Sequence, residues 1–350
     1  MKRDRWQTSL RLLARLEGRA FGRRLRPRRA FRIRGATARA EDAGFDGLPA
    51  LLLDAEDAAP VDAVLHARSA ADVVQFGKFD VAAELRLRAF YASADAPATT
   101  LRVQRFQGAH MRGVVREARA RRVVAQHAPE VAPRLFEVGV DKRAKMGFLS
   151  EECLDGRHPA DRGEVQQAGA HVAAALDHLH RSAGLARKRL SEVTSDRLPE
   201  RWAAAVGHLP VSATVRQRVQ TLFDRDAHLE VGLGHGDIVG SNIVLVGDME
   251  RVVLIDWEHA GELPVAFDLA KLHLQARHPE QMLAVFRDTF GDRVGRGSDG
   301  YALEEQFALA HVQMLAWHEH RVARAQDAGR LAAYERDTAR RMELVESLLG

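Results

Sequence analysis

The chain reads as an α+β protein, a small antiparallel sheet followed by a larger and mainly helical part, and three observations carry that expectation. Between Ala71 and Phe106, runs of alternating apolar and polar residues have the two-residue period of half-buried strands. Beyond Gly156 the period changes, and Val165, Val172, Leu176 and Leu179 recur at helical intervals. The third observation is the stretch Leu233 to Gly261, LGHGDIVGSNIVLVGDMERVVLIDWEHAG, where Asp237, Asn242 and Asp256 interrupt short apolar runs that would otherwise make ordinary strands. With 350 residues and 46% hydrophobic content, the chain is large enough to bury a substantial core in one large or two ordinary domains.

The N-terminal part stands apart by charge. Met1 to Arg34 holds 13 Lys and Arg against Asp4 and Glu17, a formal +11, which leaves −7 for the remainder of a chain whose net charge is +4. Trp6, Leu10, Leu13 and Leu16 are spaced for a basic amphipathic helix. Such a helix suits an anionic membrane surface or a polyanion, or it packs its apolar side on the body of the protein; a mitochondrial-type presequence is a third reading. No apolar run approaches the ~18 residues of a membrane span, and no apolar signal-peptide segment follows the N-terminal charges. A single cysteine, Cys153, cannot form an internal disulfide, so a cytoplasmic location is expected. Residues 35–60 turn to Ala, Gly and Asp around a short apolar segment, Leu48 to Leu53.

The strand-like runs DVVQFGKF, ELRLRAFYA and TLRVQRF are separated by turn signals that include Pro97. A helix is expected over roughly Met111 to Gln126, ended by Pro129 and Pro133, and two strands over Leu135 to Val138 and Phe148 to Ser150. Glu151-Glu152-Cys153-Leu154-Asp155-Gly156 follows as a linker into the helical part, with Gly156 permitting a turn. Arg187 to Glu230 reads as a mainly helical insertion striped by Val215, Val219 and Leu222, and Phe286, Phe307, Leu309, Met314 and Leu315 mark C-terminal helices. His178 and His180 are two apart and do not share a helical face, and His318-Glu319-His320 has the wrong spacing for a helical metal site and is expected to be solvated.

The order of polar residues in Leu233 to Gly261 fits phosphoryl transfer. That reaction needs little covalent help: one carboxylate to orient the attacking hydroxyl, and oxygen ligands for Mg²⁺ ions that neutralise the phosphates. Asp237 suits the first role, Asn242 and Asp256 the second, and a turn containing Gly240 folds the ligands back toward Asp237. A strand-turn-strand hairpin with incidental acids is the plain alternative.

The full pattern resembles the aminoglycoside phosphotransferase and choline kinase family, the small-molecule branch of the protein-kinase-like superfamily. It carries His235-Gly236-Asp237, Asn242 five residues on, and Ile255-Asp256-Trp257. The resemblance implies a two-lobed, protein-kinase-like α+β fold, with a small antiparallel-sheet N-lobe and a larger, mainly helical C-lobe. Residues 1–70 would form a basic extension, 71–151 a nucleotide-binding lobe and 152–350 the catalytic and substrate-binding lobe. It further implies an ATP-dependent kinase that uses Mg²⁺ to phosphorylate a hydroxyl of a small molecule, with no specific nucleic-acid partner. Asp237 would be the catalytic carboxylate and His235 would shape its loop, while Asn242 and Asp256 would hold metal. Arg102, at the position of the usual strand lysine, with Arg105 as the alternative, would pair with Glu117 to position phosphates. Glu152 to Leu154 would offer backbone groups to the adenine, and Asp268 would brace the catalytic loop.

The chain departs from the family pattern in having no glycine-rich phosphate loop, only Gly77 lying among the first strands. An aminoglycoside acceptor calls for an acidic pocket and a choline-like one for an aromatic cage, which 6% aromatic content disfavours. Glu258, Trp317 and Glu319 are the candidate acceptor contacts. Two alternatives remain: a kinase for a lipid-linked or envelope sugar, drawn to a membrane through residues 1–34, and a non-catalytic nucleotide-binding module.

Overall fold

The computed structural model describes strand residues 73–76, 86–93 and 96–105 and, from residue 111 to the C-terminus, all residues except 142–145, 153, 155, 196, 248, 296 and 328. The expected N-terminal amphipathic helix, the segment Leu48 to Leu53 and Cys153 lie outside the described residues. The chain divides into two compact units, one ending with residues 133–154 after a first run to residue 122, the other formed by 123–132 and 155–350.

The first unit is built on a five-stranded sheet of β1 (Val73–Phe76), β2 (Arg86–Ser93), β3 (Ala96–Arg105), β4 (Leu135–Asp141) and β5 (Met146–Glu152), in the order β1-β2-β3-β5-β4. Every pairing is antiparallel. Pro97 lies inside β3 rather than in the turn before it. The β2–β3 register shifts between Tyr91 and Ser93, and the ladder to β5 begins only at Thr99, so Pro97 falls where no ladder hydrogen bond is required of it.

Helix α1 (Met111–His127) follows the sheet. Its buried face runs through Glu117, Ala118, Ala120, Arg121 and Val124, so it is not purely apolar. Arg121 donates to Glu151 on β5 at 2.8 Å and to the Pro133 carbonyl, and it lies 3.9 Å from Glu117. A buried guanidinium flanked by two carboxylates is tolerated because both signs of charge and the donors are matched.

The second unit opens with the two-residue β6 (Gly156–Arg157), which pairs with β9 (Ile243–Val246). Gly156 was expected for a turn, but the structure needs it for proximity: a Cβ there would sit 2.5 Å from the Leu245 carbonyl oxygen. Helix α2 (Arg162–Ala183) is capped by Asp161, whose carboxylate accepts from Gly163 and Glu164, and it buries Val165, Ala168, Val172, Leu176 and Leu179 along one stripe.

The insertion after α2 contains the expected helices, α3 (Leu190–Val193), α4 (Leu198–Ala205) and α5 (Ala213–Arg225), but its ends are strands. β7 (Ala186–Arg189) pairs with β8 (His228–Gly234), Ala186 opposite Val231. The sequence of β7, ARKR, has no apolar alternation, so its pairing to a buried neighbour decides its conformation.

β10 (Arg251–Leu254) extends the β6–β9 ladder and β11 (Gly261–Pro264) pairs with β8. The chain ends in α6 (Val265–Gln275), α7 (Pro279–Phe290), α8 (Leu303–Leu315), α9 (His318–Asp327) and α10 (Leu331–Leu349). A core of Leu198, Trp202, Val219, Leu222, Leu309 and Val345 joins α4, α5, α8 and α10. Tyr301 fixes this core by donating to Leu222 O at 2.6 Å and accepting from Ala227 N at 3.1 Å. Among the described residues no helix is long and apolar enough to cross a membrane.

Candidate active site

The polar stretch singled out in the sequence becomes the end of β8, a tight loop through Asp237 to Asn242, the β9–β10 hairpin and a short 3-10 turn, Trp257–His259. Because Ile243 pairs with Leu254, Asn242 and Asp256 leave the same end of that hairpin, and Ile255 N donates to Asn242 O at 2.9 Å.

Helix α6 holds the loop in place. Asp268, Lys271 and Gln275, three and then four residues apart, share one helical face. Asp268 is buried and accepts from His235 N and Gly236 N, both at 2.7 Å. This is the bracing by backbone hydrogen bonds that the resemblance implied for it. Gln275 accepts from Gly240 N at 2.8 Å. Lys271 Nζ reaches Asp237 Oδ1 at 2.5 Å and Gly236 O at 3.4 Å.

Gly236 has φ +82°, and a Cβ there would come within 2.3 Å of the His259 carbonyl oxygen, so a side chain is excluded on both counts. Asp256 also adopts the left-handed region, at φ 68°, a conformation that costs a non-glycine residue energy and is retained where the surroundings impose it.

His235 is fully buried and uses both ring nitrogens. Nδ1 accepts from Asp237 N at 3.2 Å, which leaves Nε2–H to donate to Ile255 O at 2.9 Å, and the ring lies 4.7 Å from that of Trp257. Burial holds its pKa below the usual histidine value against the opposing fields of Asp268, Asp237 and Asp256, so the ring is neutral and acts as a fixed strut.

Asn242 Nδ2 donates to Asp237 O at 2.9 Å and to Asp237 Oδ2 at 3.2 Å. Asp237 therefore has one carboxylate oxygen against Lys271 and the other against Asn242. Partial burial alone would raise its pKa, but the charge and hydrogen bond of Lys271, with smaller contributions from His259 and His235, outweigh this and hold the carboxyl below its ordinary value.

Asn242 commits its Nδ2 to Asp237, so Oδ1 is the atom it can turn to a cation. No cluster of three or more His, Cys, Asp or Glu suited to a metal exists among the described residues. A site of one carboxylate and one amide oxygen, completed by water and phosphate, fits Mg²⁺ and not a closed structural metal.

The other expected site residues belong to the first unit. Arg102 lies in β3 opposite Arg88 and Leu149, and its side chain is outside the described residues. Glu117 is buried beside Arg121. Glu152 ties the end of β5 to Arg134, its carboxylate accepting from Arg134 N at 3.0 Å and its own N donating to Arg134 O at 2.8 Å, and Leu154 is half-buried.

On the helical side, Trp317 lies under the Arg201 guanidinium at 3.6 Å and Glu319 pairs with His208 at 3.3 Å. His318 is not simply solvated: its Nδ1 lies 2.8 Å from the Tyr334 hydroxyl. Lys271 and Gln275 were not foreseen. The signal was present, since both follow Asp268 at spacings that put them on its helical face.

Residues 81–344 match the profile of the phosphotransferase enzyme family (APH). No curated protein matches the chain. Among solved structures, a choline kinase from Streptococcus pneumoniae is similar at 16% identity with a TM-score of 0.51, over 83% of this chain and 98% of that one. A macrolide 2′-phosphotransferase type I is similar at 19% identity with a TM-score of 0.50, over 80% of this chain and 96% of that one. At these identities the likeness is one of fold, the two-lobed α+β architecture of small-molecule kinases.

Proposed function

From the premise that the chain belongs to the phosphotransferase enzyme family, we propose that it transfers the γ-phosphoryl group of ATP to a hydroxyl of a small molecule. The observation that carries this reading is Asp237 itself, an ionised carboxylate held from both oxygens on a loop pinned to α6 at three points.

In this role Asp237 orients the acceptor hydroxyl and receives its proton as the phosphoryl group departs from ADP. Asn242 and Asp256 would hold Mg²⁺, which when bound neutralises phosphate charge. His235 keeps the Asp237 backbone fixed, and its Nε2–H bond to Ile255 ties the catalytic loop to the strand that presents Asp256. Arg102 and Glu117 are assigned to phosphate positioning and the backbone of Glu152 to Leu154 to the adenine edge. The structural neighbours are by name a choline kinase and a macrolide 2′-phosphotransferase, and a small-molecule acceptor is the corresponding proposal here.

The test is a screen of acceptor phosphorylation with Mg-ATP, and with GTP in parallel, across aminoglycosides, amino alcohols, sugars and nucleosides. Transfer to a hydroxyl in any class supports the reading. Tight Mg-nucleotide binding with no transfer to any of them favours a binding module instead. Asp256→Ala is expected to remove the Mg²⁺ dependence of nucleotide affinity, measured by titration calorimetry with and without the ion.

A further inference from the structure

Asp237 is held at one oxygen by a charge and at the other by an amide. Lys271, on α6, brings its ammonium to Oδ1 at 2.5 Å, and Asn242 donates to Oδ2 at 3.2 Å. The two holders are not equivalent. An ammonium in contact with a carboxylate stabilises its negative form and so makes it a poorer proton acceptor, whereas a neutral amide holds it with less of that cost. Bracing does not need the charge either: Asp268 and Gln275, on the same face of α6, already bind the loop through His235 N, Gly236 N and Gly240 N.

The ammonium is also incompletely used. It has three N–H donors, and the described residues take two of them, through Asp237 Oδ1 and, at a long 3.4 Å, Gly236 O. The pair is open to an incoming group: the side chains of Lys271 and Asp237 are 23% and 31% exposed, while Asp268 and His235 are buried. A charge that weakens the base it touches, with a donor to spare beside an open carboxylate, is accounted for when a second anion arrives at Asp237. In phosphoryl transfer that anion is the transferring group, whose equatorial oxygens share its negative charge.

We propose that Lys271 is a catalytic cation for the transferred phosphoryl group, donating its third N–H to one of that group's oxygens. The inference rests on the phosphotransferase reading and adds a residue to its machinery. The acceptor oxygen forms its bond to the γ-phosphorus, the bond from that phosphorus to the β–γ bridging oxygen breaks with its electron pair left on ADP, and the hydroxyl proton passes to Asp237. Protonation discharges the carboxylate while Lys271 faces a phosphoryl group, so the attraction of the ammonium passes from the base to the product. An interaction that grows along the reaction in this way lowers the barrier without tightening the ground state.

The test is single-turnover transfer of the γ-phosphoryl group from Mg-ATP by the full-length protein, to the acceptor that the screen returns or otherwise to water, in the wild type, Lys271→Gln and Lys271→Arg. Gln can still donate a neutral hydrogen bond to Asp237, so it separates charge from holding. Lys271→Gln should lose about 10²-fold in rate, the scale of one lost donor to a developing anion, with Mg-ADP affinity by titration calorimetry unchanged. Lys271→Arg should keep about a tenth of the wild-type rate, since it restores the charge on a bulkier group. Aluminium fluoride, a stand-in for the transferring group, should raise ADP affinity in the wild type and do so far less in Lys271→Gln. The proposal is overturned if Lys271→Gln loses less than about tenfold in rate, if its Mg-ADP affinity falls along with the rate, if Lys271→Arg does no better than Lys271→Gln, or if aluminium fluoride tightens ADP equally in both proteins. A wild type that transfers neither to an acceptor nor to water would instead bring down the phosphotransferase reading, and the proposal with it.

Discussion

Two histidine-centred networks lie in the second unit, and they dispose of charge in opposite ways. Around the loop that carries Asp237, Asp268 receives two main-chain N–H groups and neutral His235 spends both ring nitrogens on backbone partners. Around α6, α8 and α10, the Arg341 guanidinium, which has no described carboxylate within 4 Å, donates to neutral His311, whose other ring nitrogen lies 3.0 Å from neutral His273. A carboxylate that accepts from backbone is satisfied within the fold and works as scaffold. A buried cation bonded to a neutral ring has no described carboxylate within 4 Å to offset the cost of its desolvation.

The sharpest way to separate scaffold from chemistry is Asp237→Asn. The amide keeps the contact surface of the loop and leaves the Asp268 bracing untouched, but it cannot take a proton. Phosphoryl transfer in single turnover should fall by about 10³-fold, the scale of a lost general base, with Mg-ATP affinity retained. Near-normal turnover would remove Asp237 from the role assigned to it.

Asp268→Ala attacks the scaffold directly. It strands the buried N–H groups of His235 and Gly236, and unsatisfied buried donors put the expected cost at about 3 kcal/mol of stability. Urea unfolding should show a lowered midpoint at unchanged slope. A loss under about 1 kcal/mol would mean that Gln275 and the β8–β11 pairing hold the loop without it.

The relay predicts a pH signature. Burial lowers the His273 pKa from its ordinary 6.5 to about 4, so as pH falls through that window the unfolded chain takes up a proton that the folded chain refuses. Stability contributed by the neutral ring is therefore complete above the unfolded pKa and is lost on acidification, at up to about 1.4 kcal/mol per pH unit. In His273→Asn the side-chain oxygen can still accept from His311, and the slope of unfolding free energy between those limits should become shallower by that share. An unchanged slope would place the titration in the other buried histidines, His180, His235 or His311, whose pKa values burial also lowers.

These networks also mark where sequence reading reaches and where it stops. The α+β class was legible because strand and helix periods occupy separate stretches, and the loop residues were legible because three polar side chains interrupt apolar runs at fixed spacings. Lys271 and Gln275 were not read, although Asp268 was, because their meaning depends on which face of α6 meets the loop. Arg341 lies 104 residues after Asp237, within an Arg-rich helix whose sequence looks solvated. Only tertiary packing buries it, and no local pattern records it. The strand β7 was hidden for the related reason that its partner, not its composition, makes it a strand.

The smallest expected effect is the most discriminating for the comparison. Arg341→Met keeps a long, flexible side chain of similar reach while deleting a buried charge, and it leaves His311 Nδ1 without its donor. The relief of desolvation and the lost hydrogen bond oppose one another, so unfolding free energy should change by no more than about 1 kcal/mol in either direction. Asp268→Ala, which removes a satisfied charge of the other network, is expected to cost about three times as much. If instead Arg341→Met proves the more damaging of the two, the guanidinium is a structural keystone of the helical core.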